Sequence, residues 1–220
     1  MTKFLNAILI SIILISGAKL VMSGQEYRTL AQERSELVDK LDGFRVRDSS
    51  KYLVQAVDTD DPMLFMWRVH KPGGFRTGYL NRIADKGANV FAFGGSWENK
   101  LERVSARFEF VGDELYVDMQ TARGGHRTRV VDAELLAICQ QHWEDLEIEV
   151  LGQEGAIEID VNQEVVLLHV VVPDKLVTEL EAKFGKTSRF SKPKKSCYRF
   201  SFGEYGLIES IGDQLRGGPR

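Results

Sequence analysis

Fifteen consecutive residues, Phe4 to Ala18, carry no charge, and apolar character resumes after Lys19 through Leu20, Val21 and Met22. As a helix, residues 4–22 span about 28 Å at about 1.5 Å per residue, close to the roughly 30 Å hydrocarbon core of a bilayer. Lys19 stands three residues from the end, where its long stem reaches the headgroups. The segment predicts a transmembrane anchor. A competing reading is a cleaved signal peptide, with Lys3 as its positive start, Phe4 to Ile15 as its apolar stretch and Ser16-Gly17-Ala18 as a small-x-small cleavage site. The first places a single-pass protein in the cell membrane with the bulk of the chain extracytoplasmic. The second leaves a periplasmic or secreted protein. Long domains cross largely regardless of flanking charge, so both readings put the bulk on the same side.

Residues 24–42 follow without a break. From Gln25 to Asp42 there is no Pro and no Gly, and Glu, Gln, Arg, Lys and Leu dominate, all good helix formers. Tyr27, Leu30, Leu37 and Leu41 keep a heptad spacing that Arg34 interrupts, short of the three to four heptads that argue for a coiled coil. A helical juxtamembrane stalk ending at Gly43 is the expectation, with dimerisation through it as the sharper variant.

The 177 residues from Phe44 to Arg220 suffice for one domain burying about 70% of its unfolded surface. The net charge of −3 points to no particular polyion, and Cys139 and Cys197 are the only cysteines, so this is not a disulfide-stapled fold, though an exported chain could join the pair. Alternation predicts strands. Met63, Phe65, Trp67 and Val69 alternate with Leu64, Met66, Arg68 and His70; Val104, Ala106, Phe108 and Phe110 with Arg103, Ser105, Arg107 and Glu109. Val111-Gly112-Asp113-Glu114 reads as a hairpin loop into Leu115, Val117 and Met119. Leu146, Ile148 and Val150, then Ile157, Ile159 and Val161, alternate with acids. Val165 to Val172 is a near-continuous apolar run suited to a strand buried on both faces, and Tyr198, Phe200 and Phe202 close the set. Two helices interrupt, one capped by Asp132 with Leu135, Ile138, Cys139, His142 and Trp143 on one face, one opened by Pro173 and Asp174 and stopped by Gly185. The expected class is α+β: a β-rich domain over residues 44–220, sandwich-like or a mixed sheet with two helices.

Sites of chemistry are scarce. Gly185-Lys186-Thr187 resembles the end of a phosphate-binding loop, but the first Gly would have to be at the position of Leu180, inside a helical stretch, so the cradle of amides is missing. Ser191 and Lys194, like Ser16 and Lys19, have the spacing of a serine acyltransferase pair. Pro193 breaks the first, and the second lies in the membrane segment. His70, His126, His142 and His169 share no zinc-ligand spacing. Asp58-Thr59-Asp60-Asp61 and Asp160 to Glu164 lack the Gly and Glu of a helix-loop-helix calcium site. No cofactor and no catalytic residue is assigned.

Charge placement says more. Lys183, Lys186, Arg189, Lys192, Lys194, Lys195 and Arg199 put +7 into 17 residues without an acid, among Phe184, Phe190 and Tyr198. This segment is a candidate contact for an anionic surface or a partner; export argues against nucleic acid. Asp145, Glu147 and Glu149 share one strand face and Glu158 and Asp160 the next, so a hairpin of the two strands would gather five carboxylates into an acidic face. The basic segment would then cover that face, in the same chain or in a homodimer.

Met66-Trp67-Arg68-Val69-His70-Lys71-Pro72-Gly73-Gly74 ends a strand in a Pro-Gly turn. With the anchor and stalk, it resembles small single-pass bacterial membrane proteins of uncharacterised function that pair a juxtamembrane helix with a Trp-Arg-Val…Pro-x-Gly strand. The likeness covers roughly residues 1–120 and implies no activity. Two functional readings stand: a membrane-anchored extracytoplasmic binding or scaffold protein, or a cell-envelope enzyme of hydrolase type whose site is assembled from scattered residues. A deep pocket with converging polar groups would separate the second from the first.

Overall fold

Alternation decides which side of each strand is buried, and the computed structural model follows it closely over the residues it describes: 44–74, 76–84, 88–91, 100–185 and 195–216. The segments expected to form an anchor and a stalk, residues 4–22 and 24–42, lie outside that set. The described strands are β1 (Tyr52–Val57), β2 (Leu64–Lys71), β3 (Thr77–Ile83), β4 (Ala88–Phe91), β5 (Lys100–Val111), β6 (Glu114–Thr121), β7 (Gly124–Val130), β8 (Glu147–Val150), β9 (Ile157–Ile159), β10 (Val165–Val172) and β11 (Lys195–Glu204). The helices are α1 (Ala133–His142), α2 (Asp174–Phe184) and α3 (Tyr205–Leu215). They build a six-stranded sheet, β7-β6-β5-β2-β1-β9, and a five-stranded sheet, β4-β3-β11-β10-β8. Every neighbour is antiparallel. These elements belong to one unit, Val46–Arg220.

The class is thus β-rich α+β, as the sequence predicts, with three helices among the described residues of the domain where two are expected. The third, α3, follows β11 directly, with no proline or side-chain cap at its start. Leu207, Ile208, Ile211 and Leu215 carry its apolar pattern, but Gly206 and Gly212 lower its propensity and mask it. Gly212 is there because α3 lies close to β4: a Cβ at that position would sit 2.3 Å from Cγ2 of Val90.

Aromatic pairs join the two layers through β11. Tyr52 of β1 meets Phe202 at 4.9 Å between ring centroids, Trp67 of β2 meets Phe200 at 6.1 Å, and Phe108 of β5 meets Tyr198 at 4.9 Å. Such edge-on contacts add about 0.5–1.5 kcal/mol each beyond the area they bury. Trp67 is fully buried, and its indole N–H donates to the Leu151 carbonyl at 3.1 Å. That carbonyl lies on the loop where the chain leaves the five-stranded sheet at β8 and enters the six-stranded one at β9. Gly152, at φ +78°, passes so close to β1 that a Cβ would stand 3.0 Å from the Val54 carbonyl, and its own carbonyl accepts from the Ala56 amide.

Local expectations hold where the signal is local. Gly112 at φ +61° makes the two-residue turn between Val111 and Glu114, with glycine where the first central position needs positive φ. Asp132 accepts from the amides of Glu134 and Leu135 at 3.1 and 3.0 Å and caps α1. Pro173 precedes α2, and Gly185 at φ +83° ends it.

Candidate binding surface

The two acidic strands do not form a hairpin. β8, with Glu147 and Glu149, pairs with β10 in one sheet, while β9, with Glu158, pairs with β1 in the other. The crossing loop held by Trp67 and Gly152 separates them, a long-range packing effect that strand alternation does not encode. The five carboxylates therefore have different surroundings. Asp145, in a short 3-10 turn after α1, meets Lys175 of α2 at 3.1 Å, and that hydrogen bond holds its carboxyl below the usual range. Asp160 meets Lys51 at 3.2 Å, and Glu149 meets Nδ1 of His169 at 3.0 Å. Glu147 and Glu158 are exposed on their strands.

Of the basic segment, Lys186, Arg189, Lys192 and Lys194 lie outside the described residues. Lys183 donates to Oε1 of Gln141 across the α1–α2 contact, and Lys195 begins β11. Arg199, in mid-strand, reaches Oε2 of Glu164 at 2.6 Å, and the same carboxylate accepts from Oγ of Ser201 at 2.6 Å. Register aligns Glu149, His169, Arg199 and Arg82 in one row across β8, β10, β11 and β3. Opposite charges thus do meet on this face, in the pair of Arg199 with Glu164.

Three groups inside the domain carry ionisable chemistry. Lys71 and Glu102 point inward at the ends of β2 and β5, where Nζ and Oε1 are 2.6 Å apart, and the Tyr79 hydroxyl donates to the same oxygen. Burial, then the Glu102 charge, pushes the Tyr79 phenol well above its ordinary pKa, so it stays a neutral donor and does not act as a base. Cys139 and Cys197 are buried. Burial pushes the Cys139 thiol up to about 12 and raises Cys197 further, which removes the thiolate that nucleophilic attack needs. A cleft of about 180 Å³ lies beside the β1–β2 connection, lined among others by Asp58, Thr59, Asp61, Phe65 and Gln153, below the size usual for small-molecule sites. Its Thr59 hydroxyl already donates to the Leu64 carbonyl at 2.6 Å. Among the described residues no group of three His, Cys, Asp or Glu is placed to hold a metal.

What remains is a surface. Helix α3 packs over β3, β4 and β11, closing part of the outer face of the five-stranded sheet, whereas on the outer face of the other sheet no described helix lies over β5 and β6, although Leu53 and His70 on that face are buried. That face carries five arginines in mid-strand. Arg107 pairs with Asp61 at 3.4 Å, Arg127 with Glu109 and Asp118 at 3.2 and 3.3 Å, and Arg129 with Glu114 at 2.7 Å. Arg68 and Arg103, directly opposite each other in the β2–β5 register, meet no carboxylate among the described residues. Both stand on the polar sides that alternation predicts for these strands. Their adjacency was hidden because β3 and β4 intervene in sequence between strands that pair in space. Comparison with protein-family models, curated proteins and solved structures finds no match for this chain.

Proposed function

We propose that this protein is a membrane-tethered extracytoplasmic binding module, anchored through residues 4–22 and presenting the open face of the six-stranded sheet to a protein partner. The observation that carries the reading is the contrast within that face: three of its arginines are neutralised by neighbours and two, side by side, meet no carboxylate among the described residues. Like charges directly opposite each other on a sheet destabilise it by a few tenths of a kcal/mol up to about 1, so the pair is better accounted for by a ligand than by the fold. The cell-envelope hydrolase has less support, since the buried thiols, the neutral phenol and the committed Thr59 hydroxyl supply no activated nucleophile.

The test combines location with contact. Intact mass of the mature chain from membranes is expected to start at Met1; a start at Lys19 removes the tether. A photo-cross-linking residue replacing Gln120, exposed on the open face two strands from Arg68, is expected to give discrete adducts in living cells. The same residue replacing Gln214 on α3 is expected to give none. Adducts from Gln214 alone would overturn the reading.

A further inference from the structure

The two cysteines of the chain stand on different elements, Cys139 on α1 and Cys197 on β11. Both nevertheless line one small cavity of about 10 Å³, together with Ile83, Trp143, Val170 and Tyr198, and they are 3% and 1% exposed. Cys197 reaches that cavity through an irregularity. Val170 of β10 pairs with Tyr198, and the next residue, Val171, pairs with Ser196, so Cys197 is the extra residue of a β-bulge. Plain alternation would send Cys197 and Tyr198 to opposite sides of the sheet; the bulge re-aims one of them, and both line the cavity. On the other flank, the Cys197 carbonyl accepts from the Ala84 amide at 2.7 Å. Ala84 is at φ +49°, a left-handed conformation that a residue with a Cβ seldom adopts. Two departures from regular strand geometry therefore meet at Cys197, and such departures persist where the surrounding structure depends on them.

Resting on the extracytoplasmic part of the reading above, we propose that Cys139 and Cys197 are joined in the mature protein as a disulfide that ties α1 to β11. The oxidant is itself a disulfide, glutathione disulfide or that of a thiol–disulfide oxidoreductase. One cysteine attacks it and releases the first reduced thiol; the second cysteine attacks the mixed disulfide and releases the other. Two thiols lose their protons, one S–S bond forms within the chain, and the oxidant is reduced to two thiols. Compartments outside the cytoplasm let such a bond persist. The free thiols of this structure are the reduced form. In that form α1 is fixed to the core by Leu135 and Ile138; the bond adds a covalent tie to β11, which pairs with both β10 and β3.

Burial also fixes when the bond forms. Thiolate is the attacking species, and in the folded domain burial takes the Cys139 thiol up to about 12 and raises Cys197 further. A solvent-borne oxidant has no access to either sulfur. Exchange is therefore closed in the folded state in both directions, and the bond is made while the chain folds, when both thiols still have ordinary acidity and access.

The full chain in non-ionic detergent, unfolded in urea with reductant, is refolded in parallel with glutathione disulfide and with reduced glutathione. Each sample is then alkylated under denaturing conditions and weighed as the intact chain. Oxidative refolding is expected to protect both cysteines from the label, and reductive refolding to leave both labelled. Reduced protein that meets glutathione disulfide only after folding is expected to stay labelled at both. The oxidised protein is expected to unfold at a higher urea concentration than the reduced one, because the cross-link restricts the unfolded chain, and Cys139→Ala is expected to abolish that difference. Two labelled cysteines after oxidative refolding, a glutathione adduct on each in place of the internal bond, or a lower midpoint for the oxidised protein would overturn the proposal. Oxidation of the folded protein as fast as of the unfolded chain would overturn its timing. Protein alkylated in denaturant at the moment of cell lysis is expected to be unlabelled. If oxidative refolding makes the bond but the cellular protein carries two labels, the extracytoplasmic location falls and the proposal for the mature protein with it; if refolding fails to make the bond, the proposal falls and the location stands.

Discussion

The outer faces of the two sheets answer the same physical problem in opposite ways. On the five-stranded sheet, Leu80 and Ile208 are fully buried beneath α3, and the charged row beside them closes on itself through Glu149, His169, Arg199 and Glu164. On the six-stranded sheet, Leu101 is left in solvent and Arg68 faces Arg103. Among the described residues, the first face has its charges met by opposite ones, and the second, although Leu53 and His70 on it are buried, keeps two arginines that meet no carboxylate. Antiparallel sheets tolerate a solvated face, so openness alone is ordinary. A solvated face with like charges directly opposed is not, and local rules broken in this way mark functional sites in natural proteins.

The comparison breaks most sharply with the same substitution made on both faces. Leu80→Ala removes a side chain buried between β3 and α3 and is expected to cost about 2–5 kcal/mol in urea unfolding. Leu101→Ala is expected to stay within about 0.5 kcal/mol. Comparable losses at the two positions would mean that the open face is covered in the folded protein.

A smaller effect separates the ionic networks. The Glu164 side chain is 17% exposed and serves both Arg199 and Ser201. Glu164→Gln is therefore expected to cost about 1–3 kcal/mol, because a buried serine and a half-buried guanidinium lose a charged acceptor. Asp61→Asn, at the longer and more exposed contact with Arg107, is expected to leave the unfolding midpoint unchanged, since exposed ion pairs are screened and contribute little. Equal effects would place both faces in the same electrostatic class.

The parts of this architecture legible in the sequence are those that short range determines. The alternation around Trp67 and Phe108 gives the buried sides of β2 and β5, Gly112 the hairpin turn, and Asp132, Pro173 and Gly185 the limits of two helices. Strand neighbours are another matter. β2 pairs with β5 across an intervening excursion into the other sheet, and β8 parts from β9 because Trp67 and Gly152 pin the loop between them to β1. No period in the sequence reports such pairings; they follow from which faces find partners once the chain has collapsed. The strands β3, β4 and β7 also carry weaker alternation, with Asn81, Asn89, His126 and Thr128 at positions where an apolar residue would have announced them. The candidate site suffered most. Arg68 and Arg103 are each unremarkable polar-side residues, and only register makes them a pair.

That pair supports the finest prediction. If Arg68 and Arg103 are kept for a ligand, the unliganded domain bears their mutual repulsion, and relieving it should not weaken the fold. Arg103→Gln keeps most of the side-chain length and removes one charge. It is expected to leave stability unchanged or raise it by a few tenths of a kcal/mol, the size of a like-charge contact between opposed strands. The effect should be larger in 10 mM salt, where the screening length is about 30 Å, than in 1 M salt, where it is about 3 Å. The corresponding substitution Arg199→Gln on the other sheet removes a guanidinium 2.6 Å from a carboxylate, and the expected sign is opposite, a loss at either salt concentration. A loss above about 1 kcal/mol in Arg103→Gln, insensitive to salt, would show that Arg103 is engaged within the folded chain, and the distinction between a closed face and a face held open for a partner would fall with it.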